Sequence, residues 1–224
     1  MTVPSITGSI AQVDSSSASG SQSVTVPTDA ELALVMPVWW HWTELTFSCT
    51  LGGTSLTQVI WQNNTSHEGS GIFRLSNPST GSQTFAWTLS DDPGTGATYF
   101  IVFLKDVDTT DPITGSATGL EDTQTATSGS FSSSTDDLCI CVGASSTDVD
   151  AGSGSGQTEQ ADNSVYNSCA GAVGTKAGVS GTTTMACDMG YSGSICAASI
   201  KGSTGGGSGV AIPIAMRHYR NLRT

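Results

Sequence analysis

Residues 31–61, ELALVMPVWWHWTELTFSCTLGGTSLTQVIW, hold four of the five tryptophans and read as three consecutive strands. Residues 32–38 are a nearly unbroken apolar run, too short to span a bilayer and rich in branched side chains, as suits a strand buried on both faces. Leu45, Phe47, Cys49 and Leu51 then alternate with Thr46, Ser48 and Thr50, the period of two of a half-buried strand. Gly52 and Gly53 accept positive φ at little cost, so they are expected to close a two-residue hairpin onto residues 55–61. The pattern predicts antiparallel β structure.

Composition narrows the partners. A chain of 224 residues is long enough for one large β domain or two small ones. Charged residues are only 12% of it, against the Ala, Leu, Glu and Lys that helical surfaces need. Seven Lys and Arg against nineteen Asp and Glu give a net charge of -12, which opposes contact with phosphate backbones and anionic lipid. Neither nucleic acid nor membrane is an expected partner. The first twenty residues lack a basic start followed by an apolar core, so no secretory signal is expected there.

The low-complexity run SSSASGSQS at 15–23 suggests that residues 1–21 form an N-terminal arm or flexible segment, with 2–14 a strand or arm reaching away from a body at 22–216. Residues 62–71 read as a polar loop containing His67, and 72–75 as a resumed strand. Phe85, Trp87 and Leu89 alternate with polar partners, and 99–104, YFIVFL, are a second strand expected at the centre of a sheet. Residues 106–129 read as a turn-rich connection and 145–160 as an exposed Gly/Ser/Asp loop. Leu138, Ile140 and Val142 face one way on a strand, with Cys139 and Cys141 on the other face. Residues 202–209 are a glycine tether, 210–216 a last strand with Pro213 at an edge or bulge, and 217–224 a basic tail.

The segments SVTVPTDAELALVM, LTFSCTLGGTSLTQV, FRLSNPSTGSQTFAWTLS and VDTTDPITGSATG, followed by LCICVGASS and GVAIPIAM, resemble in their order a family of small β-sandwich proteins. That family occurs among bacteriophage virion proteins and phage-like or secreted bacterial modules. The resemblance implies an all-β, antiparallel, jelly-roll-like sandwich with a structural or adhesive role and no catalytic residues. Trp39-Trp40-His41-Trp42 and the Gly/Ser/Thr-rich second half depart from its pattern.

Three groups are candidates for contact. Arg217, Arg220 and Arg223, with His218, Tyr219 and Leu222 among them, supply three of the seven basic residues, so the rest carries four basic against nineteen acidic residues, a formal -15. Such a tail suits another copy of the chain or an acidic neighbour, or else is a solvated terminus. Trp40 and Trp42 share one strand face and Trp39 and His41 the other, which fits a second core layer, a subunit interface or a sugar-stacking platform. Asp106, Asp108 and Asp111 have the oxygen density of a calcium site but lack its loop pattern, so a solvated acidic turn is the plainer reading and no metal is expected.

The six cysteines, with no C-x-x-C among them, read as small buried thiols, Cys169, Cys187 and Cys196 being the candidates for a bridge. No nucleophile elbow, phosphate loop or zinc motif is present, so neither cofactor nor enzymatic activity is expected. The expected role is a virion structural protein, a capsid decoration or cement protein assembling with itself and with major capsid or tail proteins. The alternative is a tail-tip or fibre component that binds host carbohydrate.

Overall fold

The computed structural model describes residues 2–63, 68–94, 96–121, 124–166 and 169–204. Every regular element among them is a β-strand. The first half runs β1 (Ser5–Ile6), β2 (Ala11–Ser15), β3 (Ser19–Val26), β4 (Leu32–Trp40), β5 (Phe47–Leu51), β6 (Thr54–Ser55), β7 (Thr57–Asn63), β8 (Glu68–Ser76), β9 (Gly81–Leu89) and β10 (Gly96–Lys105). The second runs β11 (Ile113–Glu121), β12 (Thr125–Thr127), β13 (Phe131–Ser133), β14 (Leu138–Ser145), β15 (Val149–Asp150), β16 (Thr158–Tyr166), β17 (Cys169–Ala177), β18 (Gly181–Thr183), β19 (Ala186–Met189) and β20 (Gly193–Ile200).

These strands stack in four layers. An outer sheet β3-β9-β5-β6 covers an inner sheet β1-β10-β4-β8-β7, in which β2 also pairs with β10. A second inner sheet, β11-β20-β14-β17-β16, is covered by the small sheets β12-β19-β15 and β13-β18. Three cores fill the spaces between layers, and the period of two assigns each side chain. Ala33, Val35 and Trp39 of β4 join Tyr99, Ile101 and Phe103 of β10 against Phe47, Phe85, Trp87 and Leu89 of the outer sheet. The intervening Leu32, Leu34, Met36 and Val38, with Phe100, Val102 and Leu104, meet Ile140, Val142, Cys196, Ala198 and Ile200 of the second inner sheet. Cys139, Cys141, Ala170 and Ala172, on the far face of that sheet, pack on Phe131, Met185, Cys187 and Met189.

Within the first half, β2-β10-β4-β8 form one sheet and β3-β9-β5-β6 the other. This is the strand order of a jelly roll, two Greek keys folded face to face. The all-β sandwich expected from the sequence is therefore present, with β4 and β10 adjacent at its centre and buried on both sides.

Local chemistry explains the departures from regular pairing. Gly52 and Gly53 adopt φ of 58° and 80°, closing the two-residue turn between β5 and β6. The returning strand pairs over only two residues, and the chain then crosses to β8 as β7, so the hairpin does not continue to Trp61 as expected. Pro37 has no N–H to donate, and the ladder from β4 to β8 skips Met36 and Pro37. Trp39 stacks on Trp61 at 4.0 Å, and the two indoles fill the space left by Gly69 and Gly71.

Four further expectations differ from the structure, among them the exposed loop at 145–160, which contains β15 and the start of β16 because Val149 and Ala151 are buried in the third core. Residues 11–15 do not reach away: β2 pairs with β10 at its edge, and β3 pairs with β9 from Ser19 onward. Val13 and Val24, buried in the first core, hold these Ser-rich strands in place. The expected loops at 62–71 and 106–129 contain the start of β8 and all of β11 and β12, where Glu68 and Ser70 of β8 and Ala126 of β12 are buried by a facing layer. The expected strand at 210–216 and the tail lie outside the described residues.

A β-carbon at Gly69 would collide with Cζ2 of Trp39, whereas one at Gly53 would meet nothing within 4 Å and suffer only from its positive φ. Gly69→Ala is expected to destabilise the chain by about 3 kcal/mol and Gly53→Ala by about 1 kcal/mol, measured by denaturant unfolding.

Candidate functional site

The two ends of the stack differ in chemistry. At one end β4 finishes in Trp40, which pairs across the strand with Glu68 and forms a bridge to Gly94. Trp40 packs against the middle core, and Trp42, just beyond the strand, meets it edge-on at 4.7 Å with 68% of its surface exposed. Trp39 is instead fully inside the first core. The tryptophan cluster is thus split by strand alternation: one ring is structural, one half-buried, and one presents a face to solvent. The N–H of Thr43 lies 3.1 Å from Nδ1 of His41, so the ring folds onto its own turn.

Glu68 is buried at the same end, where Ser192 Oγ donates to its Oε1 at 3.2 Å and Ser145 Oγ donates to the carbonyl of Ser192 at 3.0 Å. Tyr191, beside Ser192, is 66% exposed. Neither Glu68 nor Tyr191 is singled out by the sequence. An aromatic residue inside the Gly/Ser turn MGYSGS is the available signal for Tyr191, whereas burial of Glu68 follows only from the facing sheet. A cleft of about 270 Å³ at this end, on the second outer layer, is lined by Asp148, Asp150, Asp188, Gln124, Thr125, Met189 and Gly190. Partial desolvation and the charges of Asp148 and Asp150 hold the Asp162 carboxyl above its ordinary pKa, and Glu159 shifts the same way.

The opposite end gathers the termini of the described chain. The N–H of Thr2 donates to the carbonyl of Ser203 at 3.1 Å, the N–H of Ser203 donates to the carbonyl of Asp106 at 2.8 Å, and Val107 bridges Gly202. Asp108 is paired with Lys201 at 2.9 Å and accepts the N–H groups of Thr110 and Asp111. Lys201 and these hydrogen bonds hold its carboxyl below the usual range. Asp108 alone of the three aspartates therefore makes an Asx-type turn closed by a lysine, and among the described residues no group of three His, Cys, Asp or Glu could hold a metal ion. Arg217, His218, Tyr219, Arg220, Leu222 and Arg223 lie outside the described residues, as does His67.

All six cysteines are free and buried. Cys169 and Cys196 belong to the middle core and Cys187 to the third, so the three candidates for a bridge do not converge. The close pair is Cys141 and Cys187, with sulfurs 3.9 Å apart across the second sandwich. Burial pushes the Cys49 and Cys196 thiols up to about 12 and raises Cys169 further; the contact with Cys141, followed by burial, raises Cys187.

No protein-family model, curated protein or solved structure matches this chain.

The folded state holds these thiols neutral, so their contribution to stability is present below the ordinary value of 9.0 and is lost as pH rises toward about 12. The denaturation midpoint is expected to be flat with respect to these groups up to pH 9 and to fall above it. At pH 8 a water-soluble disulfide reagent should find no reactive thiol in the native chain and six after denaturation.

Proposed function

We propose that this chain is a structural component of a bacteriophage virion, a decoration or cement protein that acts through protein–protein contacts. One observation carries the reading: Thr2, Ser203 and the connection at Asp106–Asp108 are joined at the end opposite Trp42. Residues 205–224 follow Thr204 in the sequence and include Arg217, Arg220 and Arg223, while the rest of the chain carries a formal -15. A body so arranged has an attachment end and a display end. The jelly roll is an architecture used by viral capsid and lectin domains, which supports the reading by analogy of fold.

Attachment then rests on charge. Arginine forks pair with carboxylates of an acidic neighbour, either a second copy or the shell. Removing residues 205–224 is expected to abolish the salt-sensitive oligomer or particle binding of the full-length chain, read by light scattering and co-sedimentation at about 50 and about 500 mM salt. Equal assembly of both chains would overturn the attachment role.

The exposed ring of Trp42, braced by Trp40, favours a second reading: a tail-tip or fibre component whose display end stacks on a sugar ring. Trp42→Ala is expected to cost at least about tenfold in glycan affinity with no change in fold, measured by calorimetry against hits from a glycan array. Absence of any glycan binding by the intact chain would remove this reading.

A further inference from the structure

We infer that the chain is an internal duplication of one jelly-roll unit, and that its middle core is a two-fold, self-complementary interface between the two copies. Strand register supports this residue by residue. In the first half Leu32 pairs with Leu104 on one side and Ser76 on the other; in the second, Leu138 pairs with Ile200 and Ala177. Six residues along, Val38 pairs with Thr98 and Ser70, and Ala144 with Ser194 and Gly171. The inner-sheet order β2-β10-β4-β8-β7 is thus repeated as β11-β20-β14-β17-β16.

A bulge in the edge ladder repeats as well. The ladder between β7 and β8 shifts register between Gln58 and Ile60, and that between β16 and β17 shifts between Glu159 and Ala161, the corresponding step. In the outer layers Phe47 faces Leu89 as Val149 faces Met189, and Val26 faces Gly81 as Ser133 faces Gly181. The stretches GSQTFAWTL and GTTTMACDM, at 81–89 and 181–189, keep Gly, Thr and Ala in the same places. They also turn the same positions into their cores: Phe85 corresponds to Met185, Trp87 to Cys187 and Leu89 to Met189. A bulge has no reason to recur at the matching residue of two unrelated ladders, since each bulge is a local insertion.

The contact between the halves has the same symmetry. β8 lies on β20 and its counterpart β17 on β10; β14 touches β8 as β4 touches β17; β4 and β14 meet each other. Ser70 of β8 accepts from Ser194 at 2.9 Å and lies 3.5 Å from the Cys196 sulfur. At the two-fold-related place Gly171 of β17 lies against Phe100, the counterpart of Cys196, so the larger ring is met by the smaller residue. Reciprocal contact of this kind defines an isologous interface. Glu68 and Ser70 meet Ser192 and Ser194 in that order, so β8 and β20 run in the same sense and the two-fold axis lies along the strands. The interaction surface of each unit is its inner sheet, and the partner it fits is a second copy of the same unit.

The test uses the full chain with a protease sequence inserted between Thr109 and Thr110, in the exposed part of the connection, cleaved after folding. The cleaved product is expected to keep the native mass as a 1:1 pair and to re-form that pair after denaturation and dilution. Ser70→Leu and Gly171→Leu, wedges at two-fold-related positions, are each expected to weaken the cleaved pair by roughly tenfold or more, to a similar extent. Unfolding of either piece on cleavage, or separation of the unsubstituted pieces, would overturn the inference, as would a wedge effect at one position and none at the other. Should both wedge variants fail to fold, cleavage of the unsubstituted chain still decides it.

Discussion

Burial of β4 and β10 on both faces is the constraint on which the rest of the structure depends. Leu32 to Val38 alternate between two cores while their backbone pairs with β10 throughout and with β8 except at Met36 and Pro37, so a change in this strand disturbs either a ladder or a packed layer. An antiparallel sheet more commonly keeps one face wet. Here the second face is dry because another sheet of the same order covers it, and the body is four layers thick as a result.

The two halves solve the same packing problem with different side chains. The first fills its outer core with rings: Phe47 lies 5.6 Å from Tyr99, and Trp87 lies 5.1 Å from it, while glycines opposite Trp39, Trp61 and Trp87 make room for the indoles. The second uses Ala, Cys and Met, with Gly143 making room for Cys187 and Val149 and Gly174 letting the backbone of Ala151 approach closely. Small buried thiols serve there as apolar filler. Matched backbone register with unmatched side-chain volume is what divergence of two copies produces when each core must be filled to density.

Apart from the buried Glu68 and Asp137, charge collects at the ends and edges of these layers. Lys105 and Lys201, each at the close of a central strand, pair with Asp29 and Asp108 on the end where the described chain starts and stops. The acidic cleft of Asp148, Asp150 and Asp188 lies at the other end, near the exposed Tyr191. This polarity underlies the proposed division into an attachment end and a display end, because a long-lived contact needs complementary charge on one side while the other stays available.

The strands at 32–40, 47–51, 81–89, 96–105 and 138–145 are legible because alternation, or an unbroken apolar run of strand length, is a property of the chain itself, as is the Gly52-Gly53 turn. β2, β3 and β11 are not, since Ser, Gly and Thr carry no period of their own and become strands only when a neighbour supplies the ladder and a facing layer buries them. Of the candidate site, the sequence shows that an indole could be exposed, but which of Trp39, Trp40 and Trp42 faces water depends on where β4 ends. The duplication leaves few shared residues to notice, because side chains diverged while backbone pairing did not. The sequence by itself determined the class of structure and the strands that can be buried twice. Only the tertiary structure decided what covers them, since that is a long-range pairing of one half with the other, set by shape and register that no local pattern encodes.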